Sequence, residues 1–150
     1  MSLVRPRRLA PGQTVGLVAP SAAANEPERL RFALETVESL GFRARPGVHL
    51  FERDGYLAGT DAARAADLND MFADDAVDAI WCARGGYGAS RILPLLDFAR
   101  MRANPKPLIG YSDITALHMA LHTQAGLVSF HGPVAWRALT PYTLGELQRV

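Results

Sequence analysis

The 150 residues predict an α/β fold with a parallel sheet covered by helices on both faces. Three observations lead there. Short apolar, β-rich runs alternate with segments of helical period, which is the pattern of βαβ units. The runs are apolar on consecutive residues, as strands buried on both faces must be. A chain of this length, 49% hydrophobic with one cysteine, can bury a core without disulfides.

The first run, "TVGLVAP" (14–20), is bounded by Gly12 and Pro20 and reads as a buried strand. Asn25 with Glu28 three residues on resembles a capping box, and Pro27 suits a first helical turn. Leu30, Ala33, Leu34 and Val37 recur at helical spacing, and Gly41 follows as a stop. "FRARPGVHLF" (42–51) is a weaker strand, broken by Pro46 and Gly47, which suits an edge. "ERDGYLAGT" (52–60) is a turn-rich connector. Its Thr60 can cap a helix whose face is Ala65, Leu68 and Phe72.

"VDAIWCA" (77–83) is the third strand and leads straight into "RGGYGAS". "RILPLLDFARM" (91–101) is helical and broken by Pro94. "KPLIGY" (106–111) is the fourth strand. Ser112 then opens a helix with Ile114, Leu117 and Leu121 as its stripe and Gly126 as its stop. "LVSFHGP" (127–133) is the fifth strand, and a loop with an incipient helix, "TLGELQRV", closes the chain. Ligands of such sheets bind at the carboxyl ends of the strands. The unusual segments "PSAAAN", "ARGGYG" and "GYSD" all fall there.

Composition narrows the function. A net charge of +1 gives no electrostatic reason for a nucleic-acid or anionic-membrane partner. The arginines of "LVRPRRLAPG" read as a solvated lead-in. No stretch reaches the ~20 apolar residues of a membrane helix, and no signal-peptide core follows the basic start. A cytoplasmic protein is therefore expected. The lone Cys82 lies within an apolar run, where cysteine behaves as a small hydrophobe.

Two segments could carry chemistry. Ser112 sits where a strand turns into a helix, the place that lifts a nucleophilic hydroxyl above a sheet. Gly110 supplies half of the G-x-S-x-G spacing, but Ile114 stands at the second glycine. Spacing alone leaves Ser112 either a nucleophile or an N-cap with Asp113 favouring the helix dipole. The glycines of "RGGYG" (84–88) suit an anion- or oxyanion-binding loop, or only a tight turn. They fit neither a dinucleotide fingerprint nor a P-loop. His118 and His122 have a metal-binding spacing, yet His118 lies on the apolar stripe with no third ligand, so a core histidine is expected. His131 could orient a loop or touch substrate, and His49 looks peripheral.

The chain also resembles the LD-carboxypeptidase family of serine peptidases, which includes muramoyl-tetrapeptide carboxypeptidases and microcin-C-degrading enzymes. The matching stretches are "GQTVGLVAPSA", "YLAGTDAARAADLNDMF", "VDAIWCARGGYGASRILPLLDF", "KPLIGYSDITALHMAL" and "FHGPV", in the family's order. The resemblance implies a flavodoxin-like fold similar to class I glutamine amidotransferases. It implies Ser112 as nucleophile and the backbone N–H groups of Asp113 and Gly86 as oxyanion donors. Arg84, Gly85, Tyr87 and His131 become candidates to touch substrate. The implied reaction is hydrolysis of the amide between an L-centre and a terminal D-amino acid in recycled murein peptides, with no metal or cofactor. Alternatives are a microcin-type peptidyl-nucleotide hydrolase or a non-catalytic peptide-binding domain, and a homodimer is compatible with either.

On this resemblance residues 1–12 are an arm, 13–135 the nucleophile-bearing domain, and 136–150 the start of a linker. The family's glutamate and histidine belong to a C-terminal domain that would follow Val150, so the chain alone is expected to be inactive. Its domain-docking face would then be exposed and prone to self-association.

Overall fold

In the computed structural model, residues 2–24 and 26–149 are described. Five parallel strands form one sheet in the order β2-β1-β3-β4-β5. They are β1 (Thr14–Val18), β2 (Arg43–Pro46), β3 (Ala79–Cys82), β4 (Leu108–Gly110) and β5 (Phe130–His131). This is the flavodoxin-like order, whose ligand crevice opens at the carboxyl ends beside the β1/β3 switch point. The strands are shorter than their apolar runs because a ladder lasts only as long as its neighbour. β3, for example, pairs with β4 only at Ile80–Leu108 and Trp81–Ile109.

Alternation sorts the strand side chains into two cores. Val18, Ile80, Cys82 and Leu108 face one side, under α2 (Asp61–Ala73), α3 (Ala89–Ile92), α4 (Phe98–Ala103) and α5 (Thr115–Ala120). Val15, Leu17, Ala79, Trp81 and Ile109 face the other, under α1 (Pro27–Ser39). Ala135, Trp136 and Leu147, the last from α6 (Pro141–Leu147), also pack there.

The helices begin and end for local reasons. Pro27 opens α1, with Glu26 at its N-cap, while Asn25 of the expected capping box lies outside the described residues. Leu30, Ala33 and Val37 of α1 are buried, and Gly41 at φ +86° ends it. Thr60 Oγ1 accepts from the Ala63 amide at 3.1 Å and caps α2. Leu68 and Phe72 on the inner face of α2 are fully buried, worth about 2 kcal/mol each. Pro94 interrupts the next segment, which splits into α3, a short 3-10 turn and α4 capped by Asp97. A π-turn, Leu121–Ala125, extends α5, and Gly126 in the left-handed region terminates it.

Two buried cations hold the loops. Lys106 Nζ donates to the Met71 and Asp74 carbonyls at the carboxyl end of α2, where a cation suits the dipole. Arg64 is 1% exposed. Its guanidinium donates to the carbonyls of Pro20 (2.6 Å), Gly88 (3.0 Å) and Gly59 (3.3 Å) and pairs with Asp61, which also binds Arg91. One side chain thus ties together the ends of three irregular segments.

His49 is less peripheral than its sequence position suggests. Its Nδ1 and its amide both contact the carboxylate of buried Asp67, anchoring the loop after β2 to α2.

Two predictions arise from these contacts. Arg64→Met leaves the Pro20 and Gly59 carbonyls without a donor and Gly88 with only the Arg91 amide, and should lower stability by about 3–5 kcal/mol in urea unfolding. The hydrogen bond to Asp67 raises the pKa of His49 above its ordinary 6.5. The stabilisation is therefore complete below about pH 6.5 and fades as pH rises through the raised folded-state value. The fall in urea midpoint between pH 6 and pH 8 should shrink in His49→Gln.

Candidate active site

The three segments singled out at the strand ends meet. β4 ends at Gly110, and Tyr111 follows in extended conformation. Ser112 then takes φ +64°, the single non-glycine residue with positive φ among those described. That conformation is uncommon for a residue with a side chain. The turn also removes one of the two readings of Ser112. The serine opens a 3-10 turn, Ser112–Ile114, without any side-chain capping bond, so it is not an N-cap. The residue is exposed.

Gly110 explains the tightness of this turn. A Cβ there would lie 2.9 Å from Ile114 Cγ2 and 3.1 Å from Cys82 Cβ, so only glycine lets the helix close down on the strand.

Asp113 holds the turn in place. Its Oδ2 accepts from Ser21 Oγ at 2.6 Å and from the Ala89 amide at 2.8 Å. Ser21 follows β1 and is fully buried, while Ala89 closes the glycine-rich loop after β3. The Asp113 backbone nitrogen lies close to the same loop, 3.4 Å from where a Cβ on Gly85 would stand. Gly85 packs on Ser112 from the other side, its virtual Cβ 3.2 Å from Ser112 Cβ. Gly86 has φ +122° and approaches Ala22 so closely that a Cβ would meet the Ala22 Cβ at 2.5 Å. Among the described residues, the Asp113 and Gly86 amides have no hydrogen-bond acceptor.

Arg84, Gly85, Gly86, Tyr111, Ser112, Val134, Trp136 and Arg137 line a small cleft of about 150 Å³. Arg84 is largely committed to structure. Its Nη1 donates to the Ala23 carbonyl at 2.5 Å and its Nε to the Gly85 carbonyl at 3.2 Å. The guanidinium lies over the Trp136 ring, 4.4 Å from its centroid. Trp136 reaches this place because the amides of Ala135 and Trp136 bond to the Cys82 and Ala83 carbonyls at the end of β3.

The other candidates lie further out. Tyr87 is exposed and stacks on Tyr56 with centroids 6.3 Å apart, outside the cleft lining. His131, also outside that lining, presents its ring to the edge of Tyr111 at 6.3 Å. His118 is a satisfied core histidine. Nε2 donates to the Gly110 carbonyl (2.9 Å), so Nδ1 accepts from the Ser129 hydroxyl (2.8 Å). Burial pushes its pKa below the ordinary value. Both nitrogens are occupied, so it is available neither to a metal with His122 nor to Ser112 as a base. Cys82 is fully buried in β3, and burial pushes its thiol pKa far up, which removes it as a nucleophile.

Sequence reasoning passed over Ser21, Arg64, Trp136 and Arg137. Arg64 carried a visible signal, since it stands four residues before Leu68 on the apolar face of α2. The others show none before folding.

The strain at Ser112 is testable. Glycine relieves the positive φ and deletes no capping bond, so Ser112→Gly should raise stability by about 1 kcal/mol. Ser112→Ala should leave it unchanged, and urea unfolding of both variants measures the difference.

Comparison with known proteins agrees with this architecture. The chain is 48% identical over 130 residues to a Bacillus subtilis protein named probable murein peptide carboxypeptidase, covering 87% of this chain and 40% of that one. It is 44% identical over 122 residues to the murein tetrapeptide carboxypeptidase of Pseudomonas aeruginosa, covering 81% and 39%. Among solved structures, the microcin C7 self immunity protein MccF in complex with aspartyl sulfamoyl adenosine superposes with a TM-score of 0.89 at 31% identity, over 98% of this chain and 46% of that one. The chain spans about two fifths of the length of the curated relatives it matches. The family profile of the LD-carboxypeptidase N-terminal domain matches residues 15–132, and the chain belongs to that family.

Proposed function

We propose that this chain supplies the nucleophile and the oxyanion donors of a serine carboxypeptidase acting on murein-derived peptides. The bond cleaved is the amide between an L-centre and a terminal D-amino acid. The observation that carries this reading is Ser112 itself: exposed, strained, free of capping duty, and beside two unengaged amides at the carboxyl end of a parallel sheet. The relatives named for murein peptides support the substrate class.

In the proposed reaction Ser112 Oγ adds to the scissile carbonyl carbon as its proton passes to a base. The resulting oxyanion takes hydrogen bonds from the Asp113 and Gly86 amides. Collapse breaks the C–N bond, and the amine of the terminal residue leaves with a proton. Water then hydrolyses the acyl-serine. Among the described residues no histidine or carboxylate hydrogen-bonds the Ser112 hydroxyl, and a serine without a base is a weak nucleophile. We therefore assign the base to a part of the protein outside residues 1–150, and expect these residues alone to be nearly inactive. The same reading places the protein in the cytoplasm, where recycled wall peptides are degraded.

A second reading is hydrolysis of a peptidyl-nucleotide antibiotic, favoured by the likeness to MccF solved with aspartyl sulfamoyl adenosine. Assaying the protein encoded by the native gene on a murein tetrapeptide and on an aminoacyl sulfamoyl adenosine separates the two. On the preferred substrate Ser112→Ala should reduce kcat by about 10⁴-fold or more. Near-normal turnover, or labelling of a different residue by a fluorophosphonate, would refute the assignment.

A further inference from the structure

The reaction proposed above sets a geometric demand on the cleft. In a peptide cut at its last bond, the terminal carboxylate lies one residue from the scissile carbonyl, within about 4 Å. Whatever recognises that carboxylate must line the same small space as Ser112. The cleft lining contains two cations, Arg84 and Arg137, and no carboxylate. Asp113 adjoins it but turns its carboxylate to Ser21 and Ala89. The local field is therefore positive on a chain whose net charge is only +1.

The two arginines are not equivalent. Arg84 is pinned by the Ala23 and Gly85 carbonyls and by the Trp136 ring. Arg137 is exposed. Its backbone amide donates to Val134, while its guanidinium has no hydrogen bond or ion pair among the described residues. Its Cα is placed by Trp136, which Arg84 and Arg29 both flank, at 4.4 and 5.1 Å from the ring centroid. A planar guanidinium with five donors and no partner among the described residues matches a carboxylate bidentately.

We propose that Arg137 is the residue that receives the terminal carboxylate of the peptide and so makes the site select chain ends. This rests on the carboxypeptidase reading. Arg84 adds charge and holds the Trp136 platform without making the contact itself.

The experiment compares a murein tetrapeptide ending in a free carboxylate with the same peptide ending in a carboxamide, using the protein encoded by the native gene. The wild type should cleave the acid well and the amide poorly. Arg137→Met should lose about 10- to 100-fold in kcat/KM on the acid, mainly through KM, and little on the amide. Arg137→Lys should recover part of the loss, since it keeps the charge but not the fork. If Arg137→Met discriminates acid from amide as the wild type does, the assignment of Arg137 is wrong while the carboxypeptidase reading stands. If the wild type cleaves neither peptide, the reading itself fails and this inference falls with it.

Discussion

The site depends on one oxygen atom, Asp113 Oδ2. It accepts from Ser21, which follows β1, and from Ala89, which follows the glycine-rich loop after β3, while its own backbone follows β4. The ends of three neighbouring strands are thereby fastened to each other immediately beside Ser112. Hydrogen bonds to a charged acceptor contribute about 1.5–3 kcal/mol each. A non-glycine residue held at positive φ costs about 1–3 kcal/mol. The two bonds outweigh the strain, and the turn keeps a shape that it would not hold in isolation.

Arg64 plays the complementary part from below. Burying a guanidinium carries a desolvation cost of several kcal/mol. Here it is offset by the carbonyls of Pro20, Gly59 and Gly88 and by the carboxylate of Asp61. Those carbonyls belong to irregular backbone that no sheet ladder can satisfy, and a buried carbonyl needs a donor. The same arginine donates at three places, sharing Gly88 with the Arg91 amide, which registers the loops against one another and against α2. Asp113 and Arg64 together convert three flexible connections into a rigid rim.

Against that rim Ser112 stands out energetically. It caps no helix, fills no core position and sits in a conformation that costs stability. His118, four residues from Ile114 on the same helical stripe, is the opposite case. It is a polar residue with every ring nitrogen satisfied, and it fastens α5 to the end of β4. One residue adds strain without structural return and the other adds structure without chemical freedom, which separates a candidate site residue from a core residue.

The sequence by itself determined the parallel α/β architecture, the order of its elements, the Thr60 cap, the stops at Gly41 and Gly126, and the buried stripe of Ile114, Leu117 and Leu121. These follow from periodicity and backbone chemistry over a few residues. It also identified the three segments that converge at the strand ends. Spacing could not say whether Ser112 was a cap or a strained exposed serine, nor that Asp113 turns its carboxylate away from the cleft. It did not reveal that Arg64 is buried, that His49 anchors a loop, or that Trp136 and Arg137 return to the site. Each of these was decided by tertiary structure, through partners distant in the chain: Ser21 and Asp113 are 92 residues apart, and Arg84 and Ala23 are 61 apart. A local pattern encodes a local conformation. Which donor meets which acceptor is set only when the sheet brings the strand ends together.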